Sequence, residues 1–228
     1  MIKTKGKLFL GVLLLLISVV THASNVGEIL DYLGNGNEEE GLKQLEYLVD
    51  KENSTAILVL SDMINDIGVK TNNSEAIMMS MVLLQKSAEL GNSKAMKDIA
   101  LSYYQGRNVE QNYTTARTWF EKSAKLGNVN SMVYLGLIYQ MGDGVEVNLA
   151  KSLMWYEIAD YAYKNTRTTG KTANDIEPTH FASDLVKKTE ITGYEIESGI
   201  NLAKDWINNS LNLNHKDPGM PRIKNLGK

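Results

Sequence analysis

Two blocks of this chain, residues 92–127 and 128–163, repeat one another at a shift of 36. Tyr103 falls on Tyr139, Gly106 on Gly142, Val109 on Val145 and Asn112 on Asn148. Trp119 falls on Trp155, Phe120 on Tyr156 and Glu121 on Glu157. A fixed period of about 20 to 50 residues constrains the fold strongly, because each unit can bury its apolar face only against its neighbours. The rest of the chain then reads as further units of one array, or as its ends.

Each unit reads as two helices. The first places Ala95, Ile99, Ala100 and Tyr103 on one face in one copy, and Ser131, Leu135, Gly136 and Tyr139 in the next. That spacing of i, i+4, i+5 and i+8 is a helix face. The second helix presents Ala116, Phe120 and Ala124, with Trp119 beside them. Trp119 and Trp155 recur at the repeat period, which predicts core packing for both. Asn108 and Gly144 sit in the turn where a positive φ is needed, the conformation that Asn and Gly tolerate best. Residues 53–91 form a degenerate copy, three residues longer, whose first helix carries Ala56, Leu60, Met63 and Ile64. Its ending, Lys86-Ser87-Ala88-Glu89-Leu90-Gly91-Asn92, nearly matches Lys122-Ser123-Ala124-Lys125-Leu126-Gly127-Asn128. In both, Gly can stop a helix in the left-handed conformation and Asn can cap the next one.

The ends differ from the array. Lys3, Lys5 and Lys7 precede an apolar run at 8–20, and Thr21-His22-Ala23 offers a small-residue exit. This is the three-part pattern of a secretory signal peptide, 1–23, and the run is short for a membrane span. Losing its three lysines takes the net charge from −3 to −6. The expectation is a periplasmic or secreted protein, cleaved after Ala23 and with no stable membrane insertion. An N-terminal helical cap follows at 24–52, where Asn37 and Glu40 have capping-box spacing and Leu42, Leu45, Leu48 and Val49 form a stripe. After the repeats at 53–91, 92–127 and 128–163 come a loop at 164–177, a helical pair at 178–210 and a flexible tail at 211–228. Pro178 is placed to open the first helix of that pair. Thr192 and Glu195 have capping-box spacing at the second, with Ile196, Ile200, Ala203 and Ile207 on its apolar face.

The pattern carried by Ser131, Leu135, Gly136, Tyr139, Gly142, Gly144, Val145, Trp155, Tyr156 and Ala159 resembles the Sel1-like repeat, a relative of the tetratricopeptide repeat. The preceding copy matches with Ala95, Tyr103, Gly106, Val109, Ala116, Trp119, Phe120 and Ala124, departing at Ile99 and Asn108. The resemblance implies an all-α, right-handed helical-pair solenoid. It also implies an exported bacterial member that binds proteins: an adaptor, a regulator of membrane sensors or a toxin-immunity protein. Cysteine-rich relatives are linked to β-lactam hydrolysis, so the alternative reading is a cell-envelope hydrolase. This chain lacks cysteine altogether.

No catalytic constellation emerges from the residues themselves. Absence of cysteine excludes thiolate metal sites and a Cys nucleophile. His180 and His215 have no second ligand at metal spacing. Gly142-Asp143-Gly144 carries one carboxylate where its counterpart has Arg107, so it reads as a turn rather than a metal loop. No cofactor is expected, and no basic stripe points to nucleic acid. What remains is surface. Opposite the buried face of the first helices lie Lys97, Asp98, Leu101, Tyr104 and Gln105 in one copy, and Val133, Tyr134, Leu137, Gln140 and Met141 in the next. Lys97, Asp98, Leu101, Tyr104, Val133, Tyr134, Leu137, Gln140 and Met141 are the candidate contacts for a protein partner on the concave face. The competing reading packs Tyr134 and Leu137 against an adjoining helix.

Overall fold

A computed structural model describes Lys43 and residues 47–165 and 176–214, with side chains to residue 209. The expected signal peptide at 1–23, the expected cap at 37–40 with Leu42 and Leu45, most of the stretch 164–177 expected as a loop, and the residues beyond 214 lie outside the described residues. Among the described residues all regular structure is helical, and no helix is long and apolar enough to cross a membrane. Packing divides the chain into two compact units, one ending at Asn92 and one beginning at Ser93.

The first unit pairs α1 (Ser54–Thr71) with α2 (Ser74–Glu89). Asn53 caps α1 by accepting from the N–H groups of Thr55 and Ala56, and Asn73 caps α2 in the same way through Glu75 and Ala76. Between the helices stand only Asn72 and Asn73, with Asn72 left-handed at φ 50°. Gly68 permits this tight reversal, because a Cβ there would lie 2.8 Å from Cγ1 of Ile77. The unit's extra length is thus redistributed. Compared with the next repeat, α1 is longer by five residues, the turn shorter by five and α2 longer by three. Ala56 and Ile64 are buried as expected, whereas Leu60 and Met63 are partly covered and pack toward Leu48. Ile57 and Leu58, absent from the predicted stripe, are almost fully buried.

The second unit contains α3 (Ser93–Gln105), α4 (Tyr113–Lys125), α5 (Val129–Met141), α6 (Leu149–Asn165), α7 (Phe181–Lys188) and α8 (Gly193–Asn214). The two repeat turns close identically. The Asn112 N–H donates to Tyr103 O at 2.9 Å, and the Asn148 N–H donates to Tyr139 O at 2.8 Å. Each of these asparagines then caps the following helix through its side chain. Asn108 and Gly144 both take positive φ, as do Gly91 and Gly127 at the ends of α2 and α4. Serines hold the α1–α2 and α3–α4 pairs together. Ser87 Oγ donates to Ser54 O, and Ser123 Oγ to Ser93 O.

α5 carries no charged residue and lies between α4 and α6, so it is buried nearly all round. Gly136 sits under the Tyr156 ring, close enough that a Cβ would clash with it. α8 approaches α6 as closely at Gly199, against Ala150 O and the Leu153 side chain. Trp206 meets Trp155 edge-on at 5.7 Å. The predicted capping box forms, with Glu195 accepting from the Thr192 N–H and returning its own N–H to Thr192 Oγ1.

Three expectations change. Pro178 does not open α7, which begins at Phe181; Pro178 instead accepts the Phe181 N–H in a preceding turn. α8 runs four residues into the stretch expected as tail, because no breaker occurs before Pro218. Trp155 is buried, but Trp119 is only half-buried, its ring covered by Lys122 Nζ at 4.1 Å. Trp155 owes its burial to Trp206, an end-of-array contact rather than a repeat contact.

Gly136→Ala is expected to lose about 1–3 kcal/mol in urea unfolding, the usual cost of overpacking. Gly193→Ala, where a Cβ meets nothing within 4 Å, should stay within about 0.5 kcal/mol of the parent. Equal behaviour of the two variants would contradict the packing described.

Candidate functional site

The nine candidate contacts fall on α3 and α5, and they separate into packing residues and open residues. Tyr104 belongs to an aromatic cluster. Its ring lies edge-on to Tyr113 at 5.3 Å, Phe120 at 6.4 Å and Tyr134 at 6.0 Å. Tyr134 stacks on Phe120 at 5.0 Å with nearly parallel planes. The Tyr104 hydroxyl donates to Asp143 Oδ2 at 2.5 Å, tying α3 to the turn of the following repeat. Burial, followed by the adjacent Asp143 carboxylate, holds that phenol well above its ordinary range. The Asp143 carboxylate therefore locks two repeats together.

Val133 is fully buried and cannot touch a partner in this arrangement, which corrects its placement on an open face. The reason lies in the surroundings of α5. Besides α4 and α6, the segment leading to α7 crosses its first turn, where Asn130 Oδ1 accepts the Ile176 N–H at 2.8 Å. Phe181 then stacks on Tyr156 at 5.2 Å and Leu185 is buried at 2% exposure. Gln140 faces inward enough to accept from the Tyr156 hydroxyl at 2.8 Å. Burial pushes that phenol up to about 12.

What stays accessible is a smaller set. Lys97 and Asp98 pair at 2.8 Å with partly exposed side chains, Leu101 and Leu137 are half-buried, and Met141 is 66% exposed. The contacts of Asn130 and Asp143 were not legible in the sequence, since neither residue matches a repeat position with a known duty. The repeated Ser87 and Ser123 offered a signal through their near-identical surroundings.

The electrostatics of α6 are unusual. Asp160 occupies the position of buried Ala124 at the 36-residue shift, and its Oδ1 is buried without a partner while Oδ2 pairs with Lys164. Burial, and then repulsion from Asp160, raises the Glu157 carboxyl above its ordinary value, opposed by Lys164. Among the described residues, no group of three or more His, Cys, Asp and Glu side chains converges to hold a metal ion.

Tyr104→Phe is expected to lose about 1 kcal/mol in denaturant unfolding, a charge-accepted hydrogen bond discounted for partial exposure. An unchanged midpoint would show that the Asp143 contact contributes nothing. A raised folded-state pKa means that Glu157 destabilises once it is ionised, so its favourable contribution is complete in acid and lost as pH rises. Glu157→Gln should accordingly raise Tm at pH 7, with the gain vanishing below about pH 4, near the ordinary glutamate value. A gain that grew in acid would reverse the assignment.

The Sel1 repeat, as a sequence family, matches residues 65–92, 93–128 and 129–159. No curated protein matches the chain. Among solved structures, the chain is similar to a protective antigen of uropathogenic Escherichia coli strains displaying an SLR fold, at 18% identity and a TM-score of 0.50. That match covers 90% of this chain and 51% of the antigen, so the chain spans about half the antigen's length. It is also similar to a Sel1 repeat protein from Oxalobacter formigenes, at 20% identity and a TM-score of 0.51, covering 86% and 79% of the two chains. Identities this low bear on the fold alone, and that fold is all-α, built of Sel1 helical pairs. Three consecutive Sel1 repeats, placed by sequence over residues 65–159 and seen in the structure as helical pairs, therefore form the central part of the chain.

Proposed function

We propose that this protein is a non-catalytic binding scaffold of the bacterial cell envelope, an adaptor, regulator or toxin-immunity protein that holds a protein partner on the exposed side of its first helices. Sel1-repeat proteins commonly mediate protein–protein interaction, and the scaffold is generally non-catalytic. The observation that carries the reading is the division of labour within the repeats. Most positions shared between copies stop, cap or pack helices, while exposed positions differ, as at Gln105 against Met141. On α3 that surface combines an ion pair with Leu101, and α5 adds Leu137 and Met141. Mixed apolar and charged area of this kind, on a rigid helical support, can receive a partner at little ordering cost. The envelope location rests on the signal-peptide pattern of residues 1–23.

The test is affinity capture of a partner from envelope extract. Leu101→Arg and Met141→Arg are expected to reduce capture at least tenfold while leaving helical circular dichroism intact, and Lys125→Glu on α4 should leave capture unchanged. A captured partner indifferent to both arginine variants would overturn the surface assignment. Hydrolysis of a chromogenic β-lactam by the purified chain would overturn the scaffold reading itself.

A further inference from the structure

On another part of the second unit, Arg117 of α4 and Lys151 of α6 converge on Tyr139 in the last turn of α5. Arg117 Nη1 lies 3.3 Å from the Tyr139 hydroxyl oxygen, and Lys151 Nζ lies 5.1 Å from the centre of the same ring. Tyr139 is 8% exposed, so the ring is a fixed floor. Its oxygen accepts from Arg117, which leaves its own proton to be donated. Guanidinium, ammonium and phenol are then three donors in one place. The carboxylate beside them, Glu121, stands 3.9 Å from Arg117 Nη1, beyond hydrogen-bond length, with its side chain 39% exposed. Arg117 Nε is buried and has no acceptor within the protein.

The repeat does not require either cation. At the 36-residue shift, Arg117 corresponds to Leu153, which is 1% exposed and packs near Gly199 of α8, and Lys151 corresponds to Thr115. A place that takes a core leucine in one copy takes a guanidinium in the other. Two like charges gathered on one ring repel each other, and a buried guanidinium N–H without an acceptor is costly. An anion between the two cations relieves that repulsion. We propose that Arg117, Lys151 and Tyr139 form an oxyanion site, taking a carboxylate or a phosphate between the two cations with the Tyr139 hydroxyl as a third donor. A planar guanidinium suits either group by bidentate bonding.

Two sources could supply that chemistry: an acidic side chain of a polypeptide, or a free inorganic anion. Hexaglutamate peptide and inorganic phosphate are therefore titrated separately into the isotope-labelled chain at constant ionic strength, with chloride as the control. The Arg117 Nε–Hε and Tyr139 ring resonances are followed by NMR. Saturable shifts with either probe are expected, with affinity reduced at least fivefold in Arg117→Gln and in Lys151→Gln. Tighter binding of hexaglutamate would identify a polypeptide source, and tighter binding of phosphate a free anion. Linear, chloride-like shifts with both probes would overturn the site, as would saturation that neither variant weakens. If Arg117→Gln fails to fold by circular dichroism, the solvent-exposed Lys151→Gln decides alone.

Discussion

Phe120 is fully buried, and the ring lying flat upon it, Tyr134, belongs to the next repeat. That contact represents the constraint on which the second unit depends. A helical pair of this size leaves an apolar face that its own two helices cannot cover, so the neighbouring pair must cover it. Burying a phenylalanine contributes roughly 1.5–3 kcal/mol, and the stacked geometry adds about 0.5–1.5 kcal/mol. Tyr104, Tyr113 and Asp143 extend the same joint, so α3, α4, α5 and the following turn meet in one cluster. At the far end Phe181 lies on Tyr156 in the same manner as Tyr134 on Phe120, and Phe120 and Tyr156 are repeat equivalents. The helical pair α7–α8 thereby covers a face that would otherwise be left open.

The polar residues make this stacking possible. Helix ends leave backbone groups without partners, and a solenoid multiplies helix ends. Here asparagine meets much of that demand: Asn53, Asn73, Asn112, Asn128 and Asn148 accept N–H groups at the starts of their helices. Ser87 and Ser123 fasten the ends of the α1–α2 and α3–α4 pairs to their beginnings. The first unit shows how much variation this scheme tolerates. It replaces the seven-residue turn by two asparagines and lengthens both helices, yet retains Asn caps, the serine fastening and a buried alanine face.

The helical pairs were legible because their signals are local and repeated. Glycine and asparagine at positive φ, Ala95, Ile99 and Ala100 on one face, and the Thr192–Glu195 box each depend on residues within a few positions of one another. The surface was less legible, because exposure depends on what comes to lie on a helix. Period alone could not reveal that residues 176–181 pass α5, so Val133 looked open. It could not show that Trp206 would cover Trp155 while nothing equivalent covers Trp119. Tyr104 and Tyr134 are favourable interface residues by type, but their partners are other rings of the same chain. The contrast between a shared position and a differing one proved more informative than residue type: Asp160 in place of Ala124, and Arg117 opposite Leu153, mark where α4 and α6 depart from pure packing.

This arrangement makes the second unit a rigid frame whose stiffness comes from joints between repeats, and the proposed binding role requires that stiffness. A double-mutant cycle on Phe120→Leu and Tyr134→Leu, read by denaturant unfolding, tests the joint most directly. A coupling energy of about 0.5–1.5 kcal/mol is predicted for two rings that stabilise one another across the repeat boundary. Strictly additive losses would show that the two residues contribute separately, and the account of an interlocked unit would be wrong.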